Sequence, residues 1–396
     1  MSPNVSVAVV GGGAVGVTAA YDLARRGAAV TLFERGEIGG THASTGRAAG
    51  VLYDAFAAPE DARVGDRAIE RFREFSGEGD FEFREAPYVW FAREGDERRA
   101  EAVRRQVPRM TAQDREVALV DRETLRERFP RVEWADVGVA AVAENAGCAI
   151  PSTYAELLAA KAREVGARLL TGVEAAVERN PLRIGRRSAA DPERASDAAG
   201  PAGGTAAEFA EYEAFDAVVV AAGAHTKRLL AAAGVPIPLK PYRVQALTAA
   251  YGGDLPMVYD ATGGYYLRPH PAGLLAGDGT EEVESDPDDW KRAADRDFRE
   301  VTRERLAYRL DGFEGPVRKS WAGLCTATPD RDPLLGELRE GLYVAAGWQG
   351  HGFMRAPALG EAVAECVLGE NPVPEFDPTR FAGDEEFDVV EGMGVE

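Results

Sequence analysis

Gly11, Gly13 and Gly16 stand in GxGxxG spacing, with Ala14 and Val15 before the last of them, and Glu34 closes the next apolar run. Each glycine has its own task. Gly11 allows a tight turn, and Gly13 lets backbone N–H groups approach a pyrophosphate. Gly16 lets a helix pack closely on a strand. An acid at Glu34 accepts hydrogen bonds from ribose hydroxyls and repels an additional phosphate. The chemistry expected of this group is the binding of a dinucleotide.

A second set of candidates lies far along the chain. Tyr266 and Arg268 alternate in a short apolar run, so both side chains are expected on one face. Gly347, Trp348, Gln349, Gly350, His351, Gly352 and Phe353 form a glycine-rich loop before a helix. Its backbone N–H groups and the helix dipole could stabilise negative charge, and His351 could adjust a proton near neutral pH. Cys148, Cys325 and Cys366 are widely spaced, and the four histidines show no metal-ligand spacing, so no metal is expected.

These residues need elements to hold them. Residues 5–10 read as a buried parallel strand, 17–26 as a helix and 28–33 as a second strand, a right-handed βαβ unit. Helices are expected over 59–75, 97–105, 122–129, 152–165 (capped by Ser152), 286–310 and 356–368. Strands are expected over 81–91, 168–177, 215–222 and 342–346. Short strands over 244–250, 256–260, 265–269 and 274–276 read as an antiparallel sheet. Residues 188–207 are Ala, Gly, Asp and Pro with almost no large apolar side chain, and read as a flexible insertion.

The chain of 396 residues carries 46 basic and 66 acidic residues, a net charge of −20. Such a balance repels phosphate backbones and argues against nucleic acid as a partner. Only five of the basic residues are lysine. Salt adaptation and a GC-rich genome both produce that bias, and the acidic excess favours a halophilic source. No stretch approaches the roughly 20 apolar residues of a membrane span, and no signal peptide is read at the start, so a soluble, cytoplasmic protein is expected.

Across nearly its whole length the sequence resembles the D-amino-acid oxidase family of FAD-dependent oxidoreductases, which includes glycine oxidase and sarcosine oxidases. The resemblance rests on VAVVGGGAVGVTAAYDLARRGAAVTLFERG, VVVAAGAHT, WAGLCTATPDRDPLLG and GLYVAAGWQGHGFMRAPALGEAVAE. It implies an α/β fold, a Rossmann-type FAD-binding domain with an inserted antiparallel-sheet substrate domain. The FAD-binding domain is expected over 1–80, 145–240 and 320–396, and the substrate domain over 81–144 and 241–319.

The resemblance also implies site roles. Glu34 and Arg35 would lie by the adenosine ribose, and Ala43 and Ser44 by the pyrophosphate. Ala49, Gly50, Val51 and Leu52 would run beside the flavin. Val173 would meet the adenine through its backbone, and Ala222 and Gly223 would close the second nucleotide turn. Tyr266 precedes Pro269 by three positions, as a substrate-carboxylate tyrosine does in the family.

Several positions depart from the family pattern. Cys325 stands where a carboxylate-clamping arginine is found, and a thiol cannot replace a bidentate guanidinium. Met354 stands where sarcosine oxidases carry a lysine, and Leu275 near their oxygen-activating lysine. Gly323 falls on the covalent-flavin cysteine, so non-covalent FAD is expected. A substitute clamp is expected from Arg268, then Arg47, then Arg355.

The implied reaction is oxidation of the C–N bond of a small amino acid or secondary amine, with oxygen or another electron acceptor as the second partner. A 2-hydroxy acid dehydrogenase, or a flavin-carrying subunit of a hetero-oligomer, would share the cofactor motifs.

Overall fold

The computed structural model describes residues 5–189, 209, 211–278, 280–390 and 392. Most of the expected insertion, 190–207, lies outside the described residues; Ser188 ends a hairpin strand, Leu182–Ser188.

The apolar run Ser6–Val10 forms the centre of a six-stranded sheet. It pairs in parallel with Ala29–Glu34 on one side and Ala217–Val220 on the other. Leu342–Ala346 and Arg168–Thr171 extend the parallel part, and Leu334–Arg339 adds an antiparallel edge. Strands covered on both faces read as continuous apolar runs, which is why the central ones were visible in sequence.

Ala14–Arg25 follows the first strand and packs against the helices Pro151–Glu164 and Gly352–Val367. Gly16 makes the close approach possible: a Cβ there would run into the Gly11 carbonyl oxygen. Gly360 has the same relation to Thr18, so the first and last helices meet backbone to side chain. Asp22 sits in this interface with 0% side-chain exposure, paired at 2.7 Å with Arg71 of the helix Pro59–Phe75.

The second large element is an eight-stranded sheet. Its order is Val317–Ala327, Lys240–Ala249, Gly273–Asp278, Tyr265–His270, Met257–Asp260, Tyr88–Arg93, Val137–Ala143 and Val117–Val120. All neighbours are antiparallel except Met257–Asp260 with Tyr88–Arg93. The boundary expected at 319/320 falls inside the first of these strands. A three-stranded sheet of Val51–Tyr53, Ala146–Cys148 and Arg84–Glu85 joins the two parts.

Some expected elements differ. Ser152 does not cap its helix: Pro151 begins it and Ile150 is the cap residue. Proline at the first helical position supplies the fixed φ that starts a helix. The strand expected over 168–177 is two strands, parted at Gly172, whose φ is +68°. Residues 286–295 are irregular, and only Arg296–Arg309 is helical.

Breaking one partner of a buried ion pair leaves an uncompensated charge, at about 3–5 kcal/mol. Asp22→Ala leaves Arg71 only Pro357 O and the Glu361 carboxylate at 3.7 Å, so it is expected to lower stability by up to about that amount, while Asp22→Ala with Arg71→Met recovers most of it. Denaturant midpoints of the three proteins check this.

Candidate functional site

The strand–turn–helix at the start of the chain sets one end of the site. Gly11 has φ +114°, and its Cβ position is filled by the Ala221 carbonyl. A Cβ on Gly13 would meet only Thr45 Oγ1, at 3.2 Å, so the backbone there faces open space. Glu34 is buried at the end of its strand. Its Oε2 accepts from Gly12 N at 2.7 Å and its Oε1 from Gly36 N at 2.8 Å. A carboxylate has about four lone-pair positions, so acceptor capacity remains for hydroxyl groups.

These groups open into a cavity of about 350 Å³. Gly11, Gly13, Ala14 and Val15 line it at the helix N-terminus, and Glu34, Arg35 and Val173 line it nearby. Ala222 and Gly223 line it at the second turn, with Ala43 and Ser44 on the loop opposite. Ala49, Gly50 and Val51 carry the lining onward to Gly323 and Tyr266 on the large sheet. Gly350, Gly352 and Phe353 complete it at the start of the last helix.

The large sheet forms the floor at this far end. Trp90, Tyr259, Tyr266, Gly277, Ala246 and Trp321 are successive cross-strand partners, one transverse row. The small residues in the middle of the row, with Gly323 opposite Val244 in the next, leave space between aromatic side chains. The Tyr266 ring lies over Gly277, where a Cβ would collide with its hydroxyl end.

Several expected site residues do not reach the cavity. Gly16 and Leu52 pack in the interior, and neither lines it. Gly347 and Gln349 also face elsewhere. Gln349 Nε2 donates to Val390 O at 2.6 Å, and its Oε1 accepts from Thr328 N at 3.3 Å, so it braces the loop.

Arg268 is not the substitute clamp. It is 1% exposed and absent from the cavity wall. Its Nε donates to Ala49 O, Nη1 to Pro269 O at 2.6 Å and Nη2 to Ala149 O at 3.3 Å. The alternation with Tyr266 was read correctly, but two residues on, the strand has passed beneath the 49–50 loop. There the carbonyls engage all three guanidinium nitrogens.

Arg47 does line the cavity, yet its head group lies at the sheet edge. It donates to the carbonyls of Thr41, Ala322 (2.7 Å) and Arg292 (3.3 Å), and sits 5.4 Å from the Trp290 ring centroid. Arg355 pairs with Asp61 at 2.7 Å and does not line the cavity.

His351 is turned away from the cavity. Its Nε2 lies 3.2 Å from Tyr53 Oη, and its ring meets Tyr53 and Phe56 edge-on. Burial, aided by Arg355, pushes its pKa down to about 3, so it does not titrate near neutrality. The expected proton-adjusting role is corrected to a neutral hydrogen-bonding one. Ser44, which lines the cavity, donates its hydroxyl to Leu324 O at 2.7 Å.

Sequence reasoning missed other wall residues. Thr45 Oγ1 accepts from Ala14 N at 3.0 Å, directly at the helix N-terminus. Its hydrogen remains for an anion placed there. His225 and Arg228 line the nucleotide end, and their signal was proximity to the Gly223 turn. Tyr53, Tyr88 and Tyr259 line the far end; they come from three strands, and nothing in their spacing joins them.

The family model for FAD dependent oxidoreductases, DAO, matches residues 6–366. The chain belongs to this family. FAD-dependent oxidoreductase domain-containing protein 1 of Bos taurus is 28% identical over 91% of this chain and 81% of that protein. Glycine oxidase of Pseudomonas putida is 28% identical over 43% of this chain and 46% of that protein. L-proline dehydrogenase from P.horikoshii superposes with a TM-score of 0.79 at 28% identity, covering 96% of this chain and 98% of that one. Glycine oxidase from Geobacillus kaustophilus has the same fold, with TM-score 0.79 at 24% identity over 96% and 100%.

The residues present fit the cofactor of this FAD-dependent oxidoreductase. A glycine-lined turn, a helix N-terminus and a buried acid stand at one end of a cavity whose other end is floored by small residues. Among the described residues no group of His, Cys, Asp and Glu is arranged to hold a metal, and no helix is long and apolar enough to cross a membrane.

Two outcomes are expected. Gly13→Val projects a branched side chain into the open space at the helix N-terminus, and should abolish flavin absorbance in folded protein. The second concerns acid. Between pH 6.5 and about 3 the unfolded chain holds a proton on residue 351 that the native chain does not. The neutral native imidazole therefore contributes stability above pH 6.5 that is lost as pH falls, by up to about 1.4 kcal/mol per unit. The stability difference between the natural protein and His351→Asn should shrink accordingly from pH 7 to pH 4, measured by urea unfolding.

Proposed function

We propose that this flavoenzyme oxidises the C–N bond of a small amine or amino acid, sarcosine- or glycine-like, with a hydride passing to the flavin. The observation that carries the reading is the continuity of one cavity. It runs from Glu34 and the Gly11–Gly13 turn to the aromatic floor around Tyr266. The similarity of this chain to glycine oxidase and to L-proline dehydrogenase supports the substrate class.

Glu34 would hold the ribose, the N-terminus of Ala14–Arg25 the pyrophosphate, and Val173 the adenine edge. Gly323 and the Gly350–Phe353 turn would flank the flavin ring. When bound, FAD supplies a two-electron acceptor for the hydride on the carbon next to nitrogen, and water hydrolyses the resulting imine. The chain's own contribution is placement: the aromatic wall excludes water and orients the amine. Oxygen or another acceptor is the second partner. We also propose that the six-stranded sheet belongs to an FAD-binding domain and the eight-stranded sheet to a substrate domain.

Gly323 offers no thiol at the ring end, which supports non-covalent FAD; Cys325, two residues on, faces Tyr242 in register. Acid precipitation should release the yellow colour into the supernatant, and colour retained in the pellet overturns this part. An anaerobic screen of amines, amino acids and 2-hydroxy acids tests the reaction. Bleaching of the flavin by an amine or amino acid is expected; bleaching by hydroxy acids alone overturns the reading.

A further inference from the structure

Three tyrosines from separate strands meet at the far end of the cavity. Tyr53 and Tyr88 stack face to face, 4.4 Å between centroids and 2° from parallel. Tyr88 is hydrogen-bonded to Tyr53 and lies close to Tyr259. Tyr53 in turn contacts His351 Nε2 at 3.2 Å. Tyr53, Tyr88 and Tyr259 all line the cavity, whereas His351 stands behind them.

The charges around this end are accounted for. Arg268 is engaged by three carbonyls, and Arg355 by Asp61. Arg47 binds the carbonyl of Ala322 on the edge strand, Val317–Ala327. That strand is five positions across the sheet from the strand of Tyr88. At about 4.8 Å per step this is about 24 Å. One residue spans at most about 3.5 Å, so a small amino acid is not expected to place its nitrogen by Tyr88 and its carboxylate on Arg47. A carboxylate beside Tyr88 would be desolvated with no cation to meet it, which is costly.

We propose that this end of the cavity is a subsite for the substrate's nitrogen, in which Tyr88 accepts an N–H, and that it selects an amine with no carboxylate beside the reacting carbon. His351 is the positioning residue. In this proposal the neutral ring carries its proton on Nδ1 and leaves Nε2, 3.2 Å from Tyr53 Oη, as the acceptor that ends the chain, so Tyr53 donates to His351 and Tyr88 donates to Tyr53. The lone pairs of Tyr88 are then left facing the cavity. Burial pushes the Tyr88 pKa well up, so the phenol keeps its proton and stays neutral. Tyrosine ring faces carry negative potential and add attraction for an ammonium group. The inference rests on the amine-oxidising reading above and narrows it to amines, setting aside its glycine-like amino-acid branch.

The test uses the FAD-loaded protein and two probes of matched shape, tert-butylammonium and pivalate. Neither has hydrogen on the carbon beside its charged group, so neither can be oxidised there, and binding is read as a perturbation of flavin absorption. Tert-butylammonium is expected to saturate at least tenfold below pivalate. His351→Gln presents an amide that can donate to Tyr53 as well as accept from it, which releases the fixed direction of the chain and should lower that preference. Tyr88→Phe removes the acceptor and should weaken tert-butylammonium about tenfold with pivalate unchanged. Pivalate binding as tightly as tert-butylammonium, binding of neither, or an unchanged preference in a folded, yellow His351→Gln protein overturns the proposal. If that variant loses FAD, an unchanged preference in Tyr88→Phe overturns it instead. Ammonium-selective binding without bleaching by any amine or amino acid sinks the functional reading alone. Bleaching by amino acids together with pivalate-selective binding sinks this inference alone.

Discussion

The hydrogen bond from Gly12 N to the Glu34 carboxylate, 2.7 Å and buried, ties the glycine turn to the end of the second strand. A buried carboxylate is costly unless its oxygens are met by donors. Here two backbone N–H groups meet it, from Gly12 and Gly36, so the turn and the strand end must hold one geometry. The same geometry aims the helix N-terminus at the cavity and lets Thr45 take the Ala14 N–H. The helix is then fixed from behind by the Asp22–Arg71 pair and by the close approach of Gly360 to Thr18. One end of the site is therefore set by short-range contacts, and the rest is built outward from it.

The opposite end depends on long-range contacts, and this difference explains what the sequence reveals. Gly11, Gly13, Gly16 and Glu34 lie within one βαβ unit, where periodicity and turn chemistry define position directly. Their placement was legible, as were the central strands and most helices. The strand Val317–Ala327 was not read at all. Its burial pattern lacks clean alternation, and it finds its place only through pairing with Lys240–Ala249. The tyrosine cluster was invisible for the same reason, since Tyr53, Tyr88 and Tyr259 meet only when three strands from two sheets are assembled.

The two arginines show a further limit. Arg268 was singled out because it shares a strand face with Tyr266, and Arg47 because it lies in the segment expected to pass near the flavin. A guanidinium has five donors in a rigid fork, which suits a carboxylate and suits a cluster of backbone carbonyls equally well. Sequence identifies the donor, but only assembly reveals which acceptor is present. At Arg268 the acceptors are the carbonyls of Ala49, Ala149 and Pro269, drawn from three segments.

That use of Arg268 constrains the chemistry of the site. Ala49 and Gly50 line the cavity, so the loop that borders it is pinned from beneath by a buried cation. Turning the guanidinium toward a substrate would leave those carbonyls unsatisfied, and each buried polar group so stranded costs about 1–3 kcal/mol. The residue cannot serve as brace and clamp at once. With Cys325 and Met354 contributing soft, uncharged walls, the far end of the cavity is aromatic and neutral. Under the reading proposed above, recognition there would rest on hydroxyl groups and ring faces, with a buried neutral histidine standing behind them.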